Sequence, residues 1–221
     1  MPNWCSNVNV YWAKKAYRNE LENFFQFMRD ENKEEGRWLG ELLTNSGADS
    51  ERCECRGYVT SMSEDIVDGD KYVSFTVWTD TAWKPMPEAM RILCRSYSHV
   101  HLAYTSEEPG AGIFETNDKR KRFFSDAWRI ETILFTDDDT AKAIYEKYPE
   151  LLDDGPSYLT EEEGLEALSD MFQMDVPDDL LENEAVWNEL KGKSSALRDK
   201  LKKEFPKLDS LYLSYRHVAY I

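Results

Sequence analysis

An α+β fold is predicted by three features of this 221-residue sequence: segments where apolar and polar residues alternate, segments where apolar residues recur at helical spacing, and turn residues between them. Residues 3 to 12 alternate, with Trp4, Val8, Val10 and Trp12 on one face and Asn3, Asn7, Asn9 and Tyr11 on the other, as in a half-buried strand. Tyr17, Leu21, Phe24, Phe25 and Met28 then make one face of an amphipathic helix, which Glu34, Glu35 and Gly36 end. Residues 36 to 56 have mixed periodicity; Trp38, Leu39, Leu42 and Leu43 predict a small helix and the polar run behind them a surface loop. Strand-like runs at 57 to 67 and 71 to 79 flank Asp68-Gly69-Asp70, a strong hairpin signal. Pro85 and Pro87 open a helix with Met86, Ala89, Met90, Leu93 and Tyr97 on its apolar face, because proline is tolerated in a first turn. Val100, Leu102 and Tyr104 point inward from the next strand. Glu108-Pro109-Gly110 then turns the chain, with proline presetting φ and glycine supplying a positive φ, and Ile113 and Phe114 begin a return strand.

The order up to residue 108 is β-α-β-β-α-β, the split arrangement called ferredoxin-like: a four-stranded antiparallel sheet with both helices on one face, here extended by the hairpin after Pro109. Val8, Val77 and Leu102 are then expected to share an interior with Leu21 and Leu93. This domain is assigned to residues 1–116, and residues 117–221 to a helix-rich, acidic α+β extension with a strand at 127 to 135, helices at 137 to 148, 161 to 173 and 180 to 205, and a strand at 211 to 219. Tyr97, Val100 and Tyr104 have the spacing of Phe205, Leu208 and Tyr212, so the extension reads either as a degenerate second copy or as part of the same domain.

Aromatic residues are 13% of the chain, too many for a disordered one, and nowhere do 18 apolar residues run together. No membrane association is expected. Met1-Pro2-Asn3-Trp4-Cys5 shows neither a basic leader nor an apolar stretch, and the four cysteines, 5, 53, 55 and 94, are too few for a disulfide framework; a cytoplasmic protein with reduced thiols is expected. The net charge of −16 is concentrated: residues 137 to 189 hold 18 Asp and Glu against two Lys. Thr136-Asp137-Asp138-Asp139 and Thr160-Glu161-Glu162-Glu163 read as helix starts, and Asp178-Asp179 after Pro177 as a third. Capping leaves the scarcity of Lys and Arg unexplained; such a surface repels nucleic acid and attracts basic proteins, or serves only solubility. The run Lys119-Arg120-Lys121-Arg122 reads as an exposed hairpin turn.

Standard catalytic motifs fail at identifiable residues. Gly192-Lys193-Ser194 lacks the upstream glycine of a phosphate loop, the position being Trp187; Gly155-Pro156-Ser157 would need glycine at Leu159; Gly110-Ala111-Gly112 is followed by Glu115. His99 and His101 with Cys53 and Cys55 could assemble a zinc site, but the Cys spacing is short by a residue and a solvated sheet face suits the histidines better. His217 stands alone. No catalytic residue, metal or cofactor is assigned.

Three motifs carry a resemblance. Met1-Pro2-Asn3-Trp4-Cys5-Ser6-Asn7, Thr81-Ala82-Trp83-Lys84-Pro85-Met86-Pro87 and Glu108-Pro109-Gly110-Ala111-Gly112 resemble, in this order, a family of small proteins from phages, plasmids and integrative elements that carry a ferredoxin-like domain. The resemblance covers residues 1 to 116 and implies a fold and a bacterial, mobile-element origin, without implying an activity. The long insert at 36 to 56 and the acidic half depart from it. Asn3, Trp4, Asn7, Thr81, Trp83, Pro85, Glu108 and Gly110 are the interaction or motif residues it marks; for Trp4, Asn7 and Trp83 a packing or turn role is the competing reading. The leading functional expectation is a non-enzymatic interaction protein meeting a basic protein partner through the acidic half or through the Trp83 and Glu-Pro-Gly rim. An enzyme with a dispersed site is the alternative. A third reading is a single-stranded nucleic-acid binder using Tyr11, Tyr72 and Trp78 on an open sheet face, which the net charge disfavours.

Overall fold

A computed structural model describes residues 3–32, 36–48, 53–151 and 155–221; Met1, Pro2 and the helix stop at Glu34 and Glu35 lie outside the described residues. The chain divides into two compact units, Met1–Phe124 with Ala219–Ile221, and Ser125–Val218. The first unit therefore runs eight residues past the expected boundary and takes back the last three residues of the chain.

Its elements are β1 (Trp4–Lys14), a single 3-10 turn (Lys15–Tyr17), α1 (Arg18–Glu31), α2 (Leu39–Asn45), β2 (Gly57–Met62), β3 (Val67–Asp68), β4 (Tyr72–Ala82), α3 (Pro87–Leu93), β5 (His101–Glu108) and β6 (Ile113–Thr116). The second unit holds β7 (Trp128–Phe135), α4 (Asp138–Lys147), a 3-10 turn (Pro149–Leu151), β8 (Ser157–Leu159), α5 (Glu161–Phe172), α6 (Glu184–Glu204) and β9 (Ser210–His217), after which β10 (Ala219–Tyr220) rejoins the first. Strands of the first sheet lie in the order β10-β6-β5-β1-β4-β2, with β3 also on β4; those of the second in the order β8-β7-β9. β1 is antiparallel to both neighbours, with Asn7 opposite Thr79 and Ser106, and Tyr11 opposite Phe75 and Leu102. In the second sheet too the first strand is central and antiparallel to the last.

The first core joins Tyr11 of β1, Val59 of β2 and Val73, Phe75 and Val77 of β4 to the apolar residues of α1, α2 and α3. Tyr11 stacks on Phe75 at 5.3 Å, meets Phe24 edge-on at 4.7 Å and donates its hydroxyl to the Met90 carbonyl at 3.0 Å. Leu21, Val77 and Leu93 share this interior and Leu102 packs against it, but Val8 does not. The alternation of β1 is as expected and its apolar count misleads: Asn7, Asn9 and Tyr11 face the helices, and Val8, Val10 and Trp12 face away. Tyr11, fully buried, is therefore not on the open face, whereas Tyr72 and Trp78 are partly exposed.

Other differences have local causes. The run expected at 57 to 67 shifts register at a bulge between Val59 and Ser61, ends as β2 at Met62 and is followed by the two-residue β3, after which the Gly69 amide bonds the Tyr72 carbonyl at 2.9 Å across the expected hairpin. α3 ends at Leu93, short of Tyr97. In the turn after Glu108 the positive φ, 77°, belongs to Gly112 rather than Gly110, and the Gly112 amide reaches the Pro109 carbonyl at 3.2 Å. α4 is capped by Asp137, which accepts from the Thr140 amide at 3.0 Å, while Thr136 donates to the Lys207 carbonyl. Thr160 and Glu163 make a full capping box on α5. Asp178 and Asp179 lie in turns, because α6 starts only at Glu184 behind the Asn183 cap. Lys119 to Arg122 is no hairpin turn; it lies between β6 and β7, which belong to different sheets.

Candidate functional site

All eight residues singled out from the sequence gather at one end of the first sheet, where β1 begins and β4 and β5 end. Burial there leaves polar groups without water, so each must find a partner in the protein. Asn7 does so fully. Its Nδ2 donates to the Cys5 carbonyl at 2.9 Å, the Thr79 carbonyl at 3.0 Å and Thr81 Oγ1 at 3.0 Å, and its Oδ1 accepts from Ser106 Oγ at 2.7 Å. Asn9 continues the ladder to the Val77 carbonyl and Thr79 Oγ1. Tyr104, beside this ladder, has a buried hydroxyl with no hydrogen-bond partner. Burial pushes the Cys5 thiol up to about 12, against a hydrogen bond with Thr81, and the Tyr104 phenol up to about 12; burial also raises the Glu115 carboxyl above its ordinary value. A thiol held this high is almost entirely protonated at neutral pH and is no nucleophile.

The loop from β4 to α3 is tied to the same end. The Thr81 hydroxyl donates to the Lys84 carbonyl at 2.8 Å, and the Trp83 amide donates to the Asn3 carbonyl at 2.8 Å. Trp83 adopts a φ of 73°, a left-handed conformation that costs a bulky residue on the order of 1–3 kcal/mol. The residue stays 52% exposed, so packing does not repay that cost. Pro85 is half-buried in front of α3. Glu108 is buried, and its carboxylate accepts the amides of Gly110, at 3.1 Å, and Ala111, closing the turn to β6. A Cβ at Gly110 would lie 2.9 Å from that carboxylate and 3.3 Å from Asn3 Nδ2, so a larger residue here would displace the Glu108 carboxylate that closes the turn.

An aromatic rim covers the side of this end that faces away from the helices. Trp4 meets Tyr58 edge-on at 5.2 Å, and Trp38, 50% exposed, meets the other flank of Tyr58 at 6.0 Å. Asp80, opposite both Ser6 and Tyr58 in register, accepts the Ser6 hydroxyl at 3.0 Å and the Tyr58 hydroxyl at 3.3 Å. Trp38, Tyr58 and Asp80 were not marked by the sequence. Trp38 sits in a segment of mixed periodicity and reaches the rim through a single bridge to Tyr58.

No protein-family model and no curated protein matches the chain. Among solved structures, a crystal structure of an unknown protein from Galdieria sulphuraria aligns over 98% of this chain and 99% of that one, at 8% identity and a TM-score of 0.27, a likeness too weak to carry any argument.

Elsewhere, among the described residues, no group of three His, Cys, Asp or Glu side chains is placed to hold a metal ion. His99 precedes β5, stacks on Tyr17 at 3.6 Å and pairs through Nδ1 with Glu20 at 2.8 Å, whereas His101 lies on the strand against Trp12. Cys53 and Cys55 pack against the core. His217 is not alone: its Nε2 lies 2.9 Å from Glu161 Oε2, and the indole of Trp128 donates to the other oxygen of Glu161 at 3.1 Å. No helix among the described residues is long and apolar enough to cross a membrane.

Proposed function

We propose that the protein is a non-enzymatic interaction protein whose aromatic rim, Trp4, Tyr58 and Trp38 beside Asp80, together with the exposed Trp83 at the same end of the sheet, docks a basic segment of a partner protein. The observation that carries this reading is Trp83, an exposed tryptophan held in a strained backbone conformation without a packing return. The strained backbone gives its amide to the Asn3 carbonyl and leaves the residue half exposed, a combination expected at a site under functional selection. Aromatic faces beside a carboxylate suit Arg or Lys side chains, by cation–π attraction and by charge. The acidic second unit would then steer a basic partner toward the protein. The strand order β5-β1-β4-β2 with helical residues on one face supports a ferredoxin-like reading of the first unit. The clustering of all three motifs at one end supports kinship with the family of phage, plasmid and integrative-element proteins.

The test is a photo-crosslinking amino acid at position 38 of the full chain, activated in the host cell. The expected product joins the chain to a protein of net positive charge, and the yield falls severalfold when Trp4 and Trp83 are both changed to Ala. An acidic or neutral product, or an unchanged yield in the double variant, would count against the proposal.

A further inference from the structure

We infer that the opposite end of the same sheet binds single-stranded nucleic acid, with a base stacked over the Arg122 guanidinium and phosphates held by Lys119, Arg120 and Lys14. β1 spans eleven residues, about 33 Å, so this site is separate from the rim. Its floor is aromatic. Trp12 meets Tyr72 edge-on at 4.9 Å and His101 at 4.7 Å, and Phe123 lies 5.9 Å from the Trp12 ring. The guanidinium carbon of Arg122 sits 4.3 Å from the centre of Trp12 and 4.5 Å from that of Tyr72.

Arg122 is fixed by those rings alone. Among the described residues no hydrogen bond or ion pair joins it to a carboxylate, in a chain with 43 Asp and Glu against 27 Lys and Arg. An arginine that keeps its donors open in such surroundings is available to an anion, and the half-buried guanidinium, seated in the corner between the mutually edge-on Trp12 and Tyr72 rings, offers a flat cation against which a base can stack. The loop that presents it is built, not loose. Asp118 accepts the amides of Phe123 at 2.6 Å and Phe124 at 3.2 Å, its carbonyl accepts the Lys121 amide at 2.8 Å, and Lys121 takes a φ of 48°. Lys119 and Arg120 project from this loop into solvent, and Lys14, opposite Tyr72 in register, adds a third cation. Two carboxylates of the same end already have partners: Asp68 accepts from Arg18 at 2.6 and 2.8 Å, and Glu20 lies 2.8 Å from His99 Nδ1 and accepts the His99 amide at 3.1 Å. Cations alone would equally suit an acidic peptide; the aromatic floor beside them favours bases.

The test is fluorescence anisotropy of the full chain with labelled oligothymidine and oligouridine of about 20 nucleotides, at about 50 and 200 mM salt. Saturable binding is expected below about 100 µM at the lower salt, weakening at least about tenfold at the higher. Arg122→Ala should weaken it about tenfold, and the doubly substituted Lys119→Gln, Arg120→Gln chain, changed at two exposed positions, should flatten the salt dependence while keeping the far-ultraviolet spectrum. Absence of binding at the lower salt would overturn the inference. So would binding unchanged in both variants, or full displacement by an equimolar oligoglutamate, which would mark an acidic-peptide site.

Discussion

At the residue scale the account turns on positions where local chemistry is at odds with local packing. Trp83 is the clearest. Changing it to Gly removes a strain of about 1–3 kcal/mol and adds back about 0.5–1 kcal/mol of unfolded-state entropy, so W83G is expected to be about 1 kcal/mol more stable in urea unfolding while losing partner binding. A less stable variant would show that the φ of 73° is not strained. Glu115 supplies a pH test. Its folded carboxyl is raised above the ordinary 4.5 by burial, so the folded state holds this proton more tightly than the unfolded chain. The stability it contributes is fully present below about pH 4.5 and lost as pH rises through the folded value. Glu115→Gln, neutral throughout, should exceed the wild type in urea midpoint at pH 7 and lose that advantage toward pH 4; an advantage equal at both pH values contradicts the cause. Residues of this kind were legible as motifs and not as chemistry. Asn7 stood in the sequence as one half of an alternation, and three of its hydrogen bonds depend on Thr79, Thr81 and Ser106, which lie 72 to 99 positions away.

At the element scale, periodicity identified most strands and helices, because alternation and the 3.6-residue period report burial directly. It failed where polarity and burial part company. In β1 the more apolar face is not the one packed on the helices, because Asn7 and Asn9 satisfy one another's neighbours inside while Trp12 is covered by Arg122 and Phe123 outside. β8, three residues long, is too short to show a period. Two substitutions test the elements themselves. Thr160→Ala removes one half of the capping box on α5 and should cost about 1 kcal/mol in thermal or urea unfolding. Gly57→Ala would place a Cβ 2.5 Å from the Asp80 carbonyl oxygen, against backbone that cannot yield without shifting β4, and should cost about 1–3 kcal/mol. A neutral G57A would mean that the edge strand β2 is held far less tightly than its register implies.

At the scale of the whole molecule, charge is divided between the units. Ser125–Val218 carries 23 Asp and Glu against 11 Lys and Arg, and the remainder 20 against 16. Part of the acidity is structural: Asp137 and the Thr160–Glu163 box satisfy helix ends. The rest is surface charge that would draw in a basic partner at long range, an effect confined to low salt by a screening length of about 8–10 Å near physiological ionic strength. The central claim is that binding itself falls on the rim, and the indole signals of the seven tryptophans report it directly. Titrating the isotope-labelled chain with an arginine-rich peptide of about nine residues should shift the indoles of Trp4, Trp38 and Trp83 first, and salt near 0.5 M should abolish the shift. Movement confined to Trp128 and Trp187 of the second unit, with the three rim indoles unmoved at saturation, would contradict the claim.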